Sequence, residues 1–230
     1  MHHEAAPPWL ILSFIAVIVV YLLYPGKPDP EKKRVRDLAA VAAKLNLAFR
    51  AKYDMELIER YVYLTHFSCG VDRYAYNTLS GSRDGAPVFI FDHHFDIITV
   101  AGAGSSGHHH HYFSALLVEM PAEFPCLRIR PETWKSRLTE ELGHPQIAFE
   151  SAEFTRAFAV QASEAKFAYE VCHPQMMEFL LANRDLSVEV NRSALAVLFE
   201  TTLRPAEVEA NLARLLKLRQ LLPHYLLAGN

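Results

Sequence analysis

The chain has 230 residues, 51% of them hydrophobic and 21% charged, which fits a folded domain with a real core and excludes a disordered tail. Its net charge of −3 with 12 neutral histidines gives no basic field for nucleic acid. Cys69, Cys126 and Cys172 are three in number with no CxxC spacing, which excludes a disulfide framework and a zinc ribbon and suits a reducing compartment.

The first element is an uncharged apolar run from Trp9 to Tyr24, bracketed by Pro8 and Pro25. At about 1.5 Å per residue it reaches roughly 24 Å, near the hydrocarbon thickness of a bilayer. It is expected to form a transmembrane helix over 8–25. Trp9, Phe14, Ile18, Tyr21 and Tyr24 would face lipid and its interfaces, and Ser13 and Ala16 mark a small-residue face. A cleaved signal peptide would need a basic start and a small-residue cleavage site, and neither is present. Lys27, Lys32, Lys33, Arg34 and Arg36 follow the run, and no Lys or Arg precedes it. The positive-inside rule therefore places residues 1–7 outside, 26–30 as a linker, and 31–230 as a cytoplasmic domain at a bacterial inner membrane. The same cations are suited to lie against anionic lipid.

Glu31–Leu47 has helical apolar spacing, and Asp54 is a good N-cap for a short helix to Tyr61. Arg73–Ser80 and Pro87–Val100 flank Gly81-Ser-Arg-Asp-Gly85, a hairpin signature. Residues 101–107 form a Gly/Ser connector, His108–Met120 a third strand and Cys126–Arg130 a fourth. In that fourth strand Arg128 and Arg130 alternate with Leu127 and Ile129, as on a solvent-facing side. A helix from Pro131 to Gly143 follows, then short strands at 146–150 and 157–162 around a turn where Ser151 is suited to capping. Helices at 166–172 and 175–183 come next, and then a hairpin of 186–190 and 194–200 across Asn191-Arg-Ser193. The last helix, 205–222, carries an apolar stripe of Val208, Leu212, Leu215, Leu216 and Leu222. Hairpins dominate, so the fold class is α+β with a mainly antiparallel sheet and flanking helices, one domain behind the transmembrane helix.

Leu79-Ser-Gly81 with Gly85 and Phe91-Asp92, then Leu127-Arg-Ile-Arg-Pro-Glu132, Phe149-Glu-Ser-Ala-Glu-Phe154 and His173-Pro-Gln-Met-Met-Glu-Phe179 occur in fixed order. Together they resemble an uncharacterised family of small bacterial membrane-anchored proteins over residues 70–225. The resemblance implies a bacterial origin and one compact domain, and it implies no activity.

Chemistry is concentrated in the histidines. On a strand, Asp92, His94 and Asp96 share one face, and His108 and His110 share a face of the next strand. If those faces coincide, His94, Asp96, His108 and His110 form a ligand set for Zn²⁺, Ni²⁺ or Fe²⁺. The bland alternative is a solvated or partner-covered sheet face. Ser80 does not sit in a GxSxG elbow, and Cys172 and His173 are too close in sequence to align as nucleophile and base. Gly102, Gly104 and Gly107 have dinucleotide-loop spacing, but a strand follows instead of a helix. Two functions are carried forward. The first is a non-catalytic accessory or scaffold subunit of a larger integral-membrane complex, such as a respiratory or photosynthetic one. Its partners would be lipid and other membrane subunits. Tyr61-Val-Tyr-Leu64 and Tyr112-Phe113 would supply contact surface. The alternative is a metal-binding domain or metal-dependent enzyme built on the His/Asp strands.

Overall fold

The computed structural model describes residues 29–101, 105–134, 145–223 and 226. The chain divides into two compact units, Met1–Asp37 and Leu38–Asn230. Of the first, the described residues are the start of helix α1, Pro30–Lys44, including Lys32, Lys33, Arg34 and Arg36.

The second unit is built on a six-stranded antiparallel sheet. Its strands are β1 Ala48–Arg50, β2 Val71–Arg83, β3 Ala86–Ala101, β4 Ser105–Pro131, β5 Phe158–Ala162 and β6 Ser187–Leu198. The order is β1-β2-β3-β4-β5, with β6 also paired to β4. The β2–β3 turn forms where Asp84 and Gly85 both take positive φ, 49° and 75°, the twist that suits a tight hairpin. β4 is one strand where two were expected. It pairs with β3 over 105–118 and with β5 over 127–131. β6 is likewise continuous: Arg192, at φ 45°, sits in a register irregularity opposite Phe124 instead of closing a hairpin.

Among the described residues, seven α-helices accompany the sheet. They are α1, α2 Met55–Arg60, α3 Thr65–Ser68, α4 Ala152–Ala157, α5 Ala165–Val171, α6 Pro174–Leu181 and α7 Val208–Leu221. Asp54 and Ser151 cap α2 and α4 as their chemistry suggests, each accepting a backbone N–H three residues on. One face of the sheet, with Val88, Ile90, Leu116, Val118, Ile129 and Val197, packs in a core with Leu38 and Ala42 of α1 and Leu212, Leu215 and Leu218 of α7. The opposite face, with Phe91, Phe95, Phe113, Leu117 and Ala196, packs under Leu57, Ile58, Tyr61, Leu64 and Phe67. Each Val, Leu, Ile or Phe among these contributes about 1.5–3 kcal/mol on leaving water. Tyr61 and Leu64 are therefore core, not spare contact surface, and only Val62 among that string is well exposed.

The fold class expected from sequence joined an α+β domain to an N-terminal transmembrane helix. It is corrected to an α+β fold with an antiparallel sheet: among the described residues, no helix is long and apolar enough to cross a membrane. The longest, α1, has 15 residues, and its first turns carry Glu31, Lys32, Lys33, Arg34, Arg36 and Asp37. Segment 8–25, with Trp9, Phe14, Ile18, Tyr21 and Tyr24, lies outside the described residues, as does Lys27. So does most of the helix expected after Pro131.

His93 lies fully buried among Phe67, Phe95 and Phe113, at ring distances of 5.2, 5.7 and 4.9 Å. Burial pushes its pKa down to about 3, and the nearby His94, His66 and Arg73 push the same way. The folded state thus resists a proton that the unfolded chain accepts near pH 6.5. Stability falls as pH drops from there toward 3, by about 1.4 kcal/mol per pH unit. His93→Phe keeps the ring packing and is expected to flatten this slope. Urea unfolding of both proteins between pH 7 and pH 4.5 measures it, and parallel slopes would refute the assignment.

Candidate metal centre

The β3–β4 ladder decides which side chains meet. Its register sets Asp96 opposite His110, His94 opposite Tyr112 and Ile98 opposite His108. Even-numbered residues of both strands therefore share one face, so the two faces considered from sequence coincide. Near the middle of the sheet that face is apolar, with Ile90 and Leu116. It turns polar at Asp92, which is 2% exposed and accepts from Asn77 Nδ2 at 3.1 Å and Ser114 Oγ at 2.6 Å. Ser114 Oγ in turn accepts from Leu203 N at 2.8 Å. Asp92 thus ties three strands to the segment after β6.

One step further out, three ligand atoms converge. Asp96 Oδ1 lies 2.7 Å from His110 Nδ1 and 3.1 Å from His94 Nε2, and the two imidazole nitrogens are 3.4 Å apart. Four donors arranged tetrahedrally at zinc–nitrogen distance stand about 3.3 Å from one another, so the triangle has nearly the size a bound ion needs. Its Asp96–His110 edge must lengthen by about half an ångström. His108 Nδ1 is 3.5 Å from Asp96 Oδ2, on the exposed side. His94 and Asp96 are buried, whereas His110 and His108 are more than half-open to solvent by side chain or close to it.

Protons are assigned by what each partner can accept. The Asp72 carbonyl 3.2 Å from His94 Nδ1 can only accept, so Nδ1 carries a hydrogen, and Nε2 is the nitrogen turned toward the triangle. This backbone contact orients the ring as an outer hydrogen bond orients a metal-ligating histidine. Burial works to raise the Asp96 pKa, but the hydrogen bond and charge of His110, with His108 and His94, hold it below the ordinary carboxylate value. Asp96 is therefore ionised at neutral pH, as a ligand must be. Tyr74 stacks on His94 at 4.6 Å, Tyr112 packs on its other side at 4.7 Å, and Tyr53 covers Tyr74 at 4.3 Å. Burial and the neighbouring Tyr53 raise the Tyr74 pKa to about 12, so its hydroxyl stays neutral.

The four residues singled out in the sequence thus lie together, and none is stranded. Their run begins not on a loose connector but on a strand whose ladder reaches Ser105 opposite Ala101. Sequence reasoning missed the tyrosines, although Tyr74 and Tyr76 alternate on β2 and so share the face of their partners His94 and Asp92. It also missed Gly70, whose missing Cβ leaves room for the Asp96 backbone oxygen. Arg128 was expected on a solvent face, and it is 2% exposed because the second face is covered too.

No family model matches the chain, and no curated protein matches it. Among solved structures, the mycobacterial trehalose monomycolate transport factor A, TtfA, matches with a TM-score of 0.60 and 16% sequence identity. The match covers 82% of this chain and 96% of that one, and it shows a shared fold.

Proposed function

We propose that this chain is an accessory domain that binds one divalent transition-metal ion at the outer end of its β3–β4 ladder. The observation that carries the reading is the convergence of His94, Asp96 and His110, whose ligand atoms all lie within 4.8 Å of one another. Two imidazoles and a carboxylate suit Zn²⁺, Ni²⁺ or Fe²⁺. His108, close to Asp96 and half-exposed, is placed to act as a fourth ligand or to leave that position to water or a partner. Isothermal titration of tag-free protein with Zn²⁺, Ni²⁺ and Fe²⁺ tests the reading. One equivalent bound to the wild-type protein supports it; no binding by any of the three overturns it.

The accessory part rests on separate support. The fold is shared with a protein described as a mycobacterial trehalose monomycolate transport factor. We propose that its partners are integral-membrane proteins, with lipid nearby on the cytoplasmic side of a bacterial inner membrane. Native electrophoresis with mass spectrometry after mild detergent extraction tests this part. Co-migration with one defined membrane complex would support it, and migration as a lone monomer would count against it.

A further inference from the structure

Several margins of the sheet are closed by backbone or kept short. Beside β5, Ile147 N donates to Val160 O at 2.8 Å. Beside β2, Asp54 and Ala75 exchange both backbone bonds, at 2.8 and 3.0 Å. β1 is only three residues long and ends in Arg50. Covered, short or charged edges are the means by which folds avoid pairing with other chains.

The outer half of β4 has none of these protections. Its ladder with β6 begins at Ala115. One residue earlier, Ser114 N donates to Thr201 O at 3.2 Å, and Ser114 O accepts from Phe199 N at 3.1 Å. Both backbone groups of Ser114 therefore point away from β3. The β3–β4 register runs unbroken from Ser105 to Val118. Alternation in an antiparallel ladder then turns the N–H and C=O of every second residue the same way. Those residues are His108, His110 and Tyr112. Gly107, of the opposite parity, accepts from Thr99 Oγ1 on the β3 side, as the alternation requires. Among the described residues, no backbone pairs with His108, His110 or Tyr112 on the outer side. Residues 107–113 read Gly-His-His-His-His-Tyr-Phe, with no Lys, Arg, Asp, Glu or Pro to blunt the edge. The unbroken register leaves no bulge to twist it away.

We infer that this edge pairs with the same edge of a second copy of the chain, the two β4 strands running antiparallel about a two-fold axis at His110. An extended backbone supplies donors and acceptors at the spacing of these outward groups. The second copy fits because the free window is symmetric about a residue that itself points outward. His110 then stands opposite His110 of the second copy, and His108 opposite its Tyr112. Each opposed pair exchanges two bonds, about six along the seam. The two-fold also closes the assembly: each copy covers the other's edge, and no edge is left to propagate. On the shared face the exposed Tyr112 ring lies beside an imidazole, a cross-strand pair that adds contact to the hydrogen bonds. Three opposed pairs make a short seam, so the dimer is weak and depends on concentration. The seam is made of backbone, and it stands whether or not the triangle binds an ion.

The test is sedimentation velocity of the full chain in mild detergent, with chelator present, over a wide range of concentration. A reversible monomer–dimer equilibrium is expected. His108→Pro removes an outward N–H that the β3 ladder does not use, a change edge strands tolerate, and is expected to weaken the dimer roughly ten-fold or more. His110→Cys serves if that variant does not fold. Opposed residues of such a pair have Cα atoms about 5.5 Å apart, within disulfide reach. Mild oxidation is therefore expected to cross-link His110→Cys well above the background of the wild-type cysteines. Val62→Cys, exposed but remote in sequence from β4, is the control and is expected to stay at background. A monomer at every concentration would overturn the proposal. So would a dimer that folded His108→Pro leaves unchanged, or cross-linking of His110→Cys no faster than that of Val62→Cys.

Discussion

His110→Ala is expected to weaken binding of a divalent metal roughly 100-fold or more, because loss of a direct ligand should exceed the 10–100-fold cost of losing an outer hydrogen bond. The fold should barely notice, since the His110 side chain is 57% exposed and its one strong partner is Asp96. Asp96→Asn, which keeps the shape and removes the charge, is expected to lose at least as much affinity. His94→Ala is a poorer probe: the ring also packs between Tyr74 and Tyr112, so its removal mixes ligation with stability. His108→Ala is expected to cost less than about ten-fold, because its nitrogen reaches only the far oxygen of Asp96. His109→Ala is the matched control, since the even–odd alternation puts it on the other face. If His110→Ala and Asp96→Asn titrate like the wild-type protein, the triangle is not the site, and the exposed histidines bind metal only as a flexible run would.

The sequence made the two-residue alternation visible, and with it the sharing of a face by His94 and Asp96 on one strand and His108 and His110 on the next. Alternation cannot say which residues stand opposite. That His110 meets Asp96, and not Ile98 or His94, depends on how far the β3–β4 ladder runs, which is a long-range fact. Local chemistry read well where a local cause dominates, as at Asp84-Gly85, Asp54 and Ser151. It misled where pairing overrides it. Asn191-Arg-Ser193 has turn composition, yet it pairs with a stretch of β4 containing Pro121 and Pro125 where the ladder shifts register on both sides of Phe124, and the strand runs on through the irregularity. Arg128 shows the same limit from another side. Alternation with Leu127 and Ile129 announces two faces but not that the second is roofed by His66, Phe67 and Trp134. The apolar run at 8–25 rests on composition and length alone and lies outside the described residues, among which no helix is long and apolar enough to cross a membrane.

Gly70→Ala is expected to be the most damaging single-methyl change in the domain, and to harm the metal centre along with the fold. Gly70 has φ +67°, where an L side chain is strained. A Cβ there would sit 2.4 Å from the Asp96 backbone oxygen and 2.6 Å from Phe95 Cδ2. Neither neighbour can yield cheaply. Phe95 is fully buried, and the Asp96 backbone is held in the ladders to both β2 and β4. Strain and overpacking together predict a loss of about 2–5 kcal/mol. Relief would come from moving the Asp96 backbone, which carries the carboxylate at the centre of the triangle. Denaturant melts should therefore show the loss of stability, and metal titration of the folded fraction should show weaker binding. Gly85→Ala separates the two ingredients. It has a similar φ of +75° but no atom within 4 Å of the added carbon, so it carries the backbone cost without the clash. It is expected to cost about 1 kcal/mol and to leave metal affinity unchanged. Equal losses in the two variants would mean that the contact between Gly70 and Asp96 is not what positions the site.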